Sequence, residues 1–343
     1  MKNFTICLYG ILLLCSQWTT AQDNLWTANR PDGHAPIGIM GDHYHKKGEW
    51  MLSYRMMTMG MEGARSGVED IGSSSVHQNY MIAPKRMNMH MHMFGVMYAH
   101  SDGLTLMMMG NYSTLSMDLL SRMNVNFSTE SKGLGDLSLI GLVKLYNQNR
   151  KSIHLKVGIS IPTGSIDQKD NTPMMSNAPL AYPMQLGSGT WDPVIGLTYL
   201  GQSSLLSWGW QVNYKVRTGE NDNRYSLGNT FDALGWAAVK LSQSWSLATQ
   251  LNYINRSEIK GSYPPLNPMM MPLFDAKNSG SDQLNLGLST NWYFPKGSLK
   301  NVRLGASFEI PVIQNLSGIQ MKTTALMTFG VQYSFKAKKE KEE

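Results

Sequence analysis

Apolar and polar positions alternate with period 2 along most of the chain, the spacing of half-buried strands whose side chains point alternately to two faces. In 206–217, Trp208, Trp210, Val212, Tyr214 and Val216 share one face, opposite Gly209, Gln211, Asn213, Lys215 and Arg217. Residues 283–294 set Leu284, Leu286, Leu288, Trp292 and Phe294 against Asn285, Gly287, Ser289 and Asn291. Residues 301–310 set Val302, Leu304, Ala306, Phe308 and Ile310 against Arg303, Gly305, Ser307 and Glu309, and 152–161 behave likewise. Twelve such segments can be read: 49–61, 87–100, 103–117, 134–146, 152–162, 189–200, 206–217, 229–241, 244–256, 281–294, 301–312 and 322–335. Segment 229–241 is the least regular, because Leu234 and Trp236 sit in the opposite register to Phe231, Ala237 and Val239.

The connections alternate too. Those at Ser101-Asp102, Asn147–Lys151, Gly201–Leu205, Ser242-Gln243 and Pro295–Lys300 are short, whereas 62–86, 118–133, 163–188 and 257–280 are long. A soluble sandwich would share the strand alternation, but not twelve spans with long loops on one side only. The pattern predicts an all-β fold: a transmembrane antiparallel β-barrel of about 12 strands with short periplasmic turns and long extracellular loops. Thr328, Gly330, Val331, Tyr333 and Phe335 end the last strand with the kind of signal that outer-membrane insertion machinery reads.

Composition supports a surface that meets lipid. Charged residues are only 16% of the 343, against 42% apolar and 32 glycines, where a soluble domain carries about 25% charge. The chain also lacks the apolar blocks of about 20 residues that a spanning helix requires. Both cysteines, Cys7 and Cys15, lie in a leader-like stretch: Lys2, an apolar run around Ile11–Leu14, then Thr19-Thr20-Ala21. This reads as a signal peptide over 1–21. Residues 22–48 then form an N-terminal periplasmic or plug segment, 49–335 the barrel and 336–343 a charged periplasmic tail. The expected location is the outer membrane of a Gram-negative bacterium.

A set of short motifs runs through the chain in order: Arg30-Pro31-Asp32-Gly33-His34, Gly41-Asp42-His43-Tyr44-His45-Lys46-Lys47-Gly48-Glu49-Trp50, Gly133-Leu134-Gly135-Asp136-Leu137, Ile161-Pro162-Thr163-Gly164-Ser165, Gly187-Ser188-Gly189-Thr190 and Thr218-Gly219-Glu220-Asn221-Asp222-Asn223. With these the chain resembles an outer-membrane β-barrel "transporter" family of the phenol meta-pathway type, over about Gly33 to Phe335. The resemblance implies a barrel and transport, and supplies no substrate. Met- and His-rich members of that kind look like those associated with copper and other heavy metals.

The candidate chemistry is unusually placed. Of 26 methionines, 17 fall between Met40 and Met123. In the first three strands Leu52, Tyr54, Phe94, Val96, Leu106 and Tyr112 suit lipid. The opposite register then sends Met57, Met59, Met61, Met87, Met89, Met91, Met93, Met107 and Met109 to the lumen. Thioethers are soft donors suited to Cu(I) or Ag(I); flexible apolar packing is the competing reading. His43 and His45, beside Asp42, can share a face of an extended segment and coordinate a metal through imidazole, with His34 and Met40 able to complete the set. His90 and His92 occupy the register opposite the Met ladder, near the outer membrane edge, and are further candidate ligands.

Enzyme signatures are missing: the sequence has no G-x-S-x-G, H-E-x-x-H or Walker loop, and its cysteines lie in the leader. A charge of +6 without a basic-aromatic stripe speaks against nucleic acid. The leading expectation is an outer-membrane barrel that passes or handles a small solute, with a soft metal ion such as Cu(I) or Ag(I) as a candidate cargo. The alternatives are a metal-sequestering surface protein without conductance, and an uptake channel for small apolar or aromatic compounds.

Overall fold

The structure, a computed structural model, describes residues 26–336. The leader read over 1–21 and nearly all of the charged tail lie outside the described residues. Twelve extended elements build the wall: β1 (Glu49–Gly67), β2 (Ile82–Ala99), β3 (Leu104–Ser121), β4 (Asn126–Leu134), β5 (Leu137–Gln148), β6 (Lys151–Ile161), β7 (Asp192–Gln202), β8 (Leu206–Lys215), β9 (Thr230–Lys240), β10 (Trp245–Arg256), β11 (Ser281–Tyr293) and β12 (Val302–Lys336). Neighbours in sequence are neighbours in space and every pairing is antiparallel, with β12 closing onto β1. β4 lies off the ring and extends β5 upward, pairing with the outer half of β3 while β5 pairs with its inner half.

The ring thus has eleven elements, and β12 supplies two of its spans. Its first part pairs antiparallel with β11 from Arg303 to Leu316, and its second pairs antiparallel with β1 out to Lys336. β11 and β1 run in opposite directions around the ring, so β12 must reverse between them. Gly318, at a φ of 63°, sits at the reversal, and the Gln314 side chain bridges it by accepting from Thr323 N and donating to Thr323 O. The sequence reading treats 313–321 as a connection; here it is extended almost throughout. At the opposite end, Asn149 and Arg150 both have positive φ (51° and 58°), as the tightest strand reversals require.

The wall is polar inside and apolar outside, the reverse of a soluble protein. Leu52, Phe94, Trp208, Trp210, Leu286, Trp292 and Phe308 are exposed on the outer face, and Gln211, Asn285, Asn291, Ser307 and Gln332 are buried. Near the short turns the rings of Trp50 and Tyr98, Trp245 and Trp292, and Tyr333 and Phe335 pair up, as in the aromatic girdle of an outer-membrane barrel. No helix among the described residues is long and apolar enough to cross a membrane.

The barrel is lopsided. β1, β2 and β3 are 19, 18 and 18 residues long, where about 9–11 tilted residues cross a bilayer. The surplus lies at the outer end, where the exposed pairs Arg86–Glu62 and Lys322–Asp70 mark water rather than lipid. The sequence reading ends the first strand at 61 and starts the second at 87, and it leaves 118–133 as loop. Above the bilayer neither face of a strand needs to be apolar, so the alternation that reveals the spans falls silent there. The same outer region carries a short helix, α1 (Ser73–Asn79).

Candidate functional site

The lumen is divided into a floor and an upper chamber. The floor is residues 26–48, which lie inside the inner half of the barrel as an irregular strap. Such a strap has few backbone partners of its own, and buried carbonyls need donors. The wall provides them from many sides. Arg303 donates to the carbonyls of Pro31 (2.6 Å), Arg30 (2.6 Å) and Ala28 (3.0 Å). Arg55 donates to Ile37 O at 2.8 Å, Ser207 to Asp32 O at 2.5 Å and His154 to Gly41 O at 2.9 Å. Lys156 and Gln211 reach Met40 O at 3.4 and 3.3 Å. Two apolar patches add to this seat: Trp26, Ala35 and Ile39 against Leu200 and Trp236, and Tyr44 against Met51, Met97, Met107, Ile140 and Leu142.

This seat explains the irregular segment 229–241. Leu234 and Trp236 break the outward apolar register because they face the lumen and pack on the strap.

The strap also gathers histidines. His34 and His43 have ring centroids 3.8 Å apart, and His43 and His45 4.8 Å. His34, Asp42 and His43 each offer a ligand atom within 4.8 Å of the others. Burial, then the charge of Arg303, holds His34 well below the usual imidazole range. Burial also lowers His45, although the Glu49 carboxylate beside it opposes the shift. Burial alone would raise Asp42, but the charge of His43 and its hydrogen bond outweigh that and hold the carboxyl below its usual range. Imidazoles beside a carboxylate form a donor set for a borderline divalent cation. Met40 does not join this group; it lines the chamber above.

The upper chamber, about 610 Å³, lies between the strap and the outer loops. Its two sides differ. Met61, Met87, Met109, Met321, Ile140 and Leu273 form an apolar side, and Lys156, Lys215, Arg217 and Arg256 stand among polar groups on the other. Arg217 is paired with the buried Asp192, and Asp232 accepts from Asn213 at 2.5 Å. The roof comes from loop residues Leu180, Ala181, Met184, Met271 and Leu273, packed on Met87, Leu115, Met117, Leu119 and Met321.

The methionines named from sequence divide accordingly. The ring register pairs Met57 with Met91, Met59 with Met89 and Met61 with Met87 across β1 and β2. They share the parity of Met51 and of Arg55, which reaches the strap, so they face inward. Met93 lies opposite Arg55 in the same row. Met107 belongs to the patch around Tyr44, and Met109 packs beside it. Met61 and Met89 pack against the roof cluster that contains Met87. Met61, Met87, Met89, Met107 and Met109 thus sit among apolar side chains, the surroundings of a packing residue. His90 and His92 are on the outer face, where Thr58 and Tyr54 hydroxyls meet their Nδ1 atoms at 3.1 and 2.8 Å. The barrel wall separates them from both the strap and the ladder. Spacing singles out His43 and His45 but not the strap's wall partners Arg55, His154, Gln211 and Arg303, because nothing local marks a lumen donor for a distant carbonyl.

Comparison with known proteins fits this architecture. The model of the family described as "Putative MetA-pathway of phenol degradation" matches residues 77–322, more than half of the chain. The chain belongs to that family. No curated protein matches the sequence significantly. Among solved structures, an outer membrane channel from Pseudomonas putida F1 shares the fold, at 13% identity and a TM-score of 0.60, covering 87% of this chain and 99% of that one. Weaker matches include the transport unit of the autotransporter AIDA-I from Escherichia coli (12% identity, TM-score 0.45, 87% and 93% covered) and a FadL homologue from Pseudomonas aeruginosa (8%, 0.41, 92% and 99%). This member of the phenol-degradation family is therefore an outer-membrane β-barrel, and the metal-ion cargo finds no support in its relatives.

Proposed function

We propose that the protein is an outer-membrane channel for small apolar or aromatic compounds, those with an anionic end favoured, and that the strap of residues 26–48 closes its periplasmic half. The observation that carries this reading is the chamber of about 610 Å³ with an apolar side facing Lys156, Lys215, Arg217 and Arg256. That volume is in the range of small-molecule sites, which are mostly apolar with a few placed polar groups. An aromatic ring would lie against Met61, Met87 and Met109, whose flexible thioethers adapt to different shapes and make favourable contacts with ring edges. A carboxylate would turn to the cationic side. The channel in the P. putida structure, with which this chain shares a fold, agrees with passage as the general role.

The test is binding of benzoate, toluene and glucose to the purified barrel, with proteoliposome uptake in parallel. Benzoate and toluene should bind and glucose should not. Replacing Lys215 and Arg256 together by Met should weaken benzoate by roughly tenfold, the loss of a charged hydrogen-bond partner, and leave toluene nearly unchanged. Binding of glucose equal to that of benzoate, or an unaltered benzoate affinity in the double variant, would remove the substrate assignment.

A further inference from the structure

Three histidines of the strap share one arrangement. His43 Nδ1 donates to Asp42 Oδ1 at 2.9 Å. His34 Nδ1 donates to Gln332 Oε1 at 3.0 Å. His45 Nδ1 lies 3.6 Å from Glu49 Oε2. In each ring an oxygen acceptor faces Nδ1, which leaves Nε2 as the free donor atom. Nε2 of His43 and of His45 is buried and has no hydrogen-bond partner among the described residues, and His43 is itself 0% exposed. An orphaned buried imidazole nitrogen is costly unless something binds it. An acceptor on Nδ1 that fixes the tautomer and turns Nε2 toward a cation is the outer-shell arrangement that metal-binding histidines use.

We propose that His34, His43 and His45, with Asp42 beside them, form a site for one borderline divalent cation such as Zn(II) or Cu(II). The site sits inside the strap and fixes the fold in which the strap is seated on the wall. It is independent of the solute reading, since it lies in the floor and not in the chamber. The ligand atoms of His34, Asp42 and His43 are within 4.8 Å of one another. Nitrogen ligands of tetrahedral zinc stand about 3.4 Å apart, given bonds of about 2.0–2.1 Å, so the widest of these spacings has to close by about 1.4 Å to reach bonding distance. Arg303 is a neighbouring cation, but its donors are engaged by the carbonyls of Ala28, Arg30 and Pro31. The Asp42 carboxylate supplies charge of the opposite sign. Gln332 belongs to the barrel wall, so the ring that would hold the metal is the same one that bonds the strap to a strand far away in sequence. Binding to the seated strap and not to the released one would stabilise the closed state by mass action.

The experiment uses the full-length barrel, stripped with chelator and checked for folding by heat-modifiable gel mobility. Zn(II) titration should show one equivalent bound. His43→Gln and His34→Gln should each lower the affinity by about tenfold or more, and Gln332→Leu, which alters only the outer shell, by roughly tenfold. Cu(II) added to the stripped protein should give an EPR spectrum with several nitrogen couplings that lose one nitrogen in His43→Gln. Zn(II) should also slow tryptic cleavage at Lys46 and Lys47. Variants at His90 and His92, on the outer wall, should bind as the parent does. A folded parent that binds no Zn(II) at ten micromolar, or a folded His34→Gln/His43→Gln double variant that binds it equally well, would overturn the proposal. Solute binding in the chamber would stand in either case, because no chamber residue is altered.

Discussion

The floor and the roof of the lumen are built with opposite chemistry. The floor is a strap whose backbone carbonyls accept from wall side chains, above all Arg303, Arg55, His154 and Gln211. The roof is loop residues such as Met184, Met271 and Leu273 set on Met87, Met117 and Leu119. Directional bonds to a buried backbone are costly to leave unmade, so the floor has one position and resists partial displacement. Apolar contacts are individually small and undirected, and methionine refits easily. An apolar solute can therefore replace roof contacts with its own, whereas it offers nothing to carbonyls in the floor. On the proposed function, the outer end is thus the permissive end, and the periplasmic end the one that needs a specific release.

Removing the floor altogether is the largest test of this contrast. A chain in which residue 49 follows the leader directly should still insert, since none of the ring pairings involves 26–48. Its single-channel conductance should rise by roughly tenfold or more, because a barrel of about twelve spans relieved of its contents holds an aqueous lumen. Equal conductance in the two proteins would mean that the strap does not close the pore. Next in size is Arg303→Met. Three carbonyls lose a charged donor at once, which should weaken strap seating by about 3 kcal/mol, roughly a hundredfold in the seated fraction. Faster tryptic cleavage at Lys46 or Lys47, with heat-modifiable mobility retained, is the expected result. Unchanged protection would show that the apolar patches alone hold the strap.

Roof and floor also differ in how far the sequence announces them. Period-2 alternation suffices for the spans, and the outward placement of Trp210 and Phe308 with Gln211 buried follows directly. It is lost wherever lipid is absent: in β4, where Asn126–Leu134 runs above the membrane with polar residues on both faces, and in the turn at Gly318. It misleads at Leu234 and Trp236, where a lumen position became apolar because Trp26 and Ile39 cover it. The inward methionines were legible by parity alone. What they touch was not, since Leu180, Met271 and Leu273 come from loops that no periodicity positions. His43 and His45 stood out by their spacing, but their convergence with His34 depends on how the strap folds against Gln332, a contact across 298 residues.

A smaller perturbation separates shape from hydrogen bonding in the floor. A Cβ at Gly305 would lie 2.7 Å from Ile37 Cβ and 3.0 Å from Asn291 Oδ1. Ile37 is buried, and its carbonyl is the one that accepts from Arg55. Gly305→Ala should cost about 1–3 kcal/mol by overpacking and raise proteolysis of the strap, less than Arg303→Met does. Gly110→Ala is the control, since the nearest contact to its Cβ is Leu137 Cδ1 at 3.6 Å. Should Gly305→Ala leave the strap as protected as in the parent, the seat is more compliant than its bonds imply.

The smallest effects belong to the roof. Met87, Met117 and Met321 are buried in one apolar cluster, and Leu keeps their volume and apolarity while deleting the sulfur. Each Met→Leu change should cost less than about 1.5 kcal/mol, and the triple variant should weaken benzoate and toluene alike by no more than about threefold, under 1 kcal/mol and the scale of one thioether–ring contact at Met87. The same variant separates the two meanings of a methionine-rich wall. If the thioethers are packing groups, any response to Ag(I), read as a change in conductance or thermal stability, is the same in parent and variant. A silver response that the parent shows and the triple variant lacks would make the sulfurs donors, since volume and burial are matched and only the soft ligand atom has gone. The roof would then be a second metal-handling region, with directional ligands of its own like the floor.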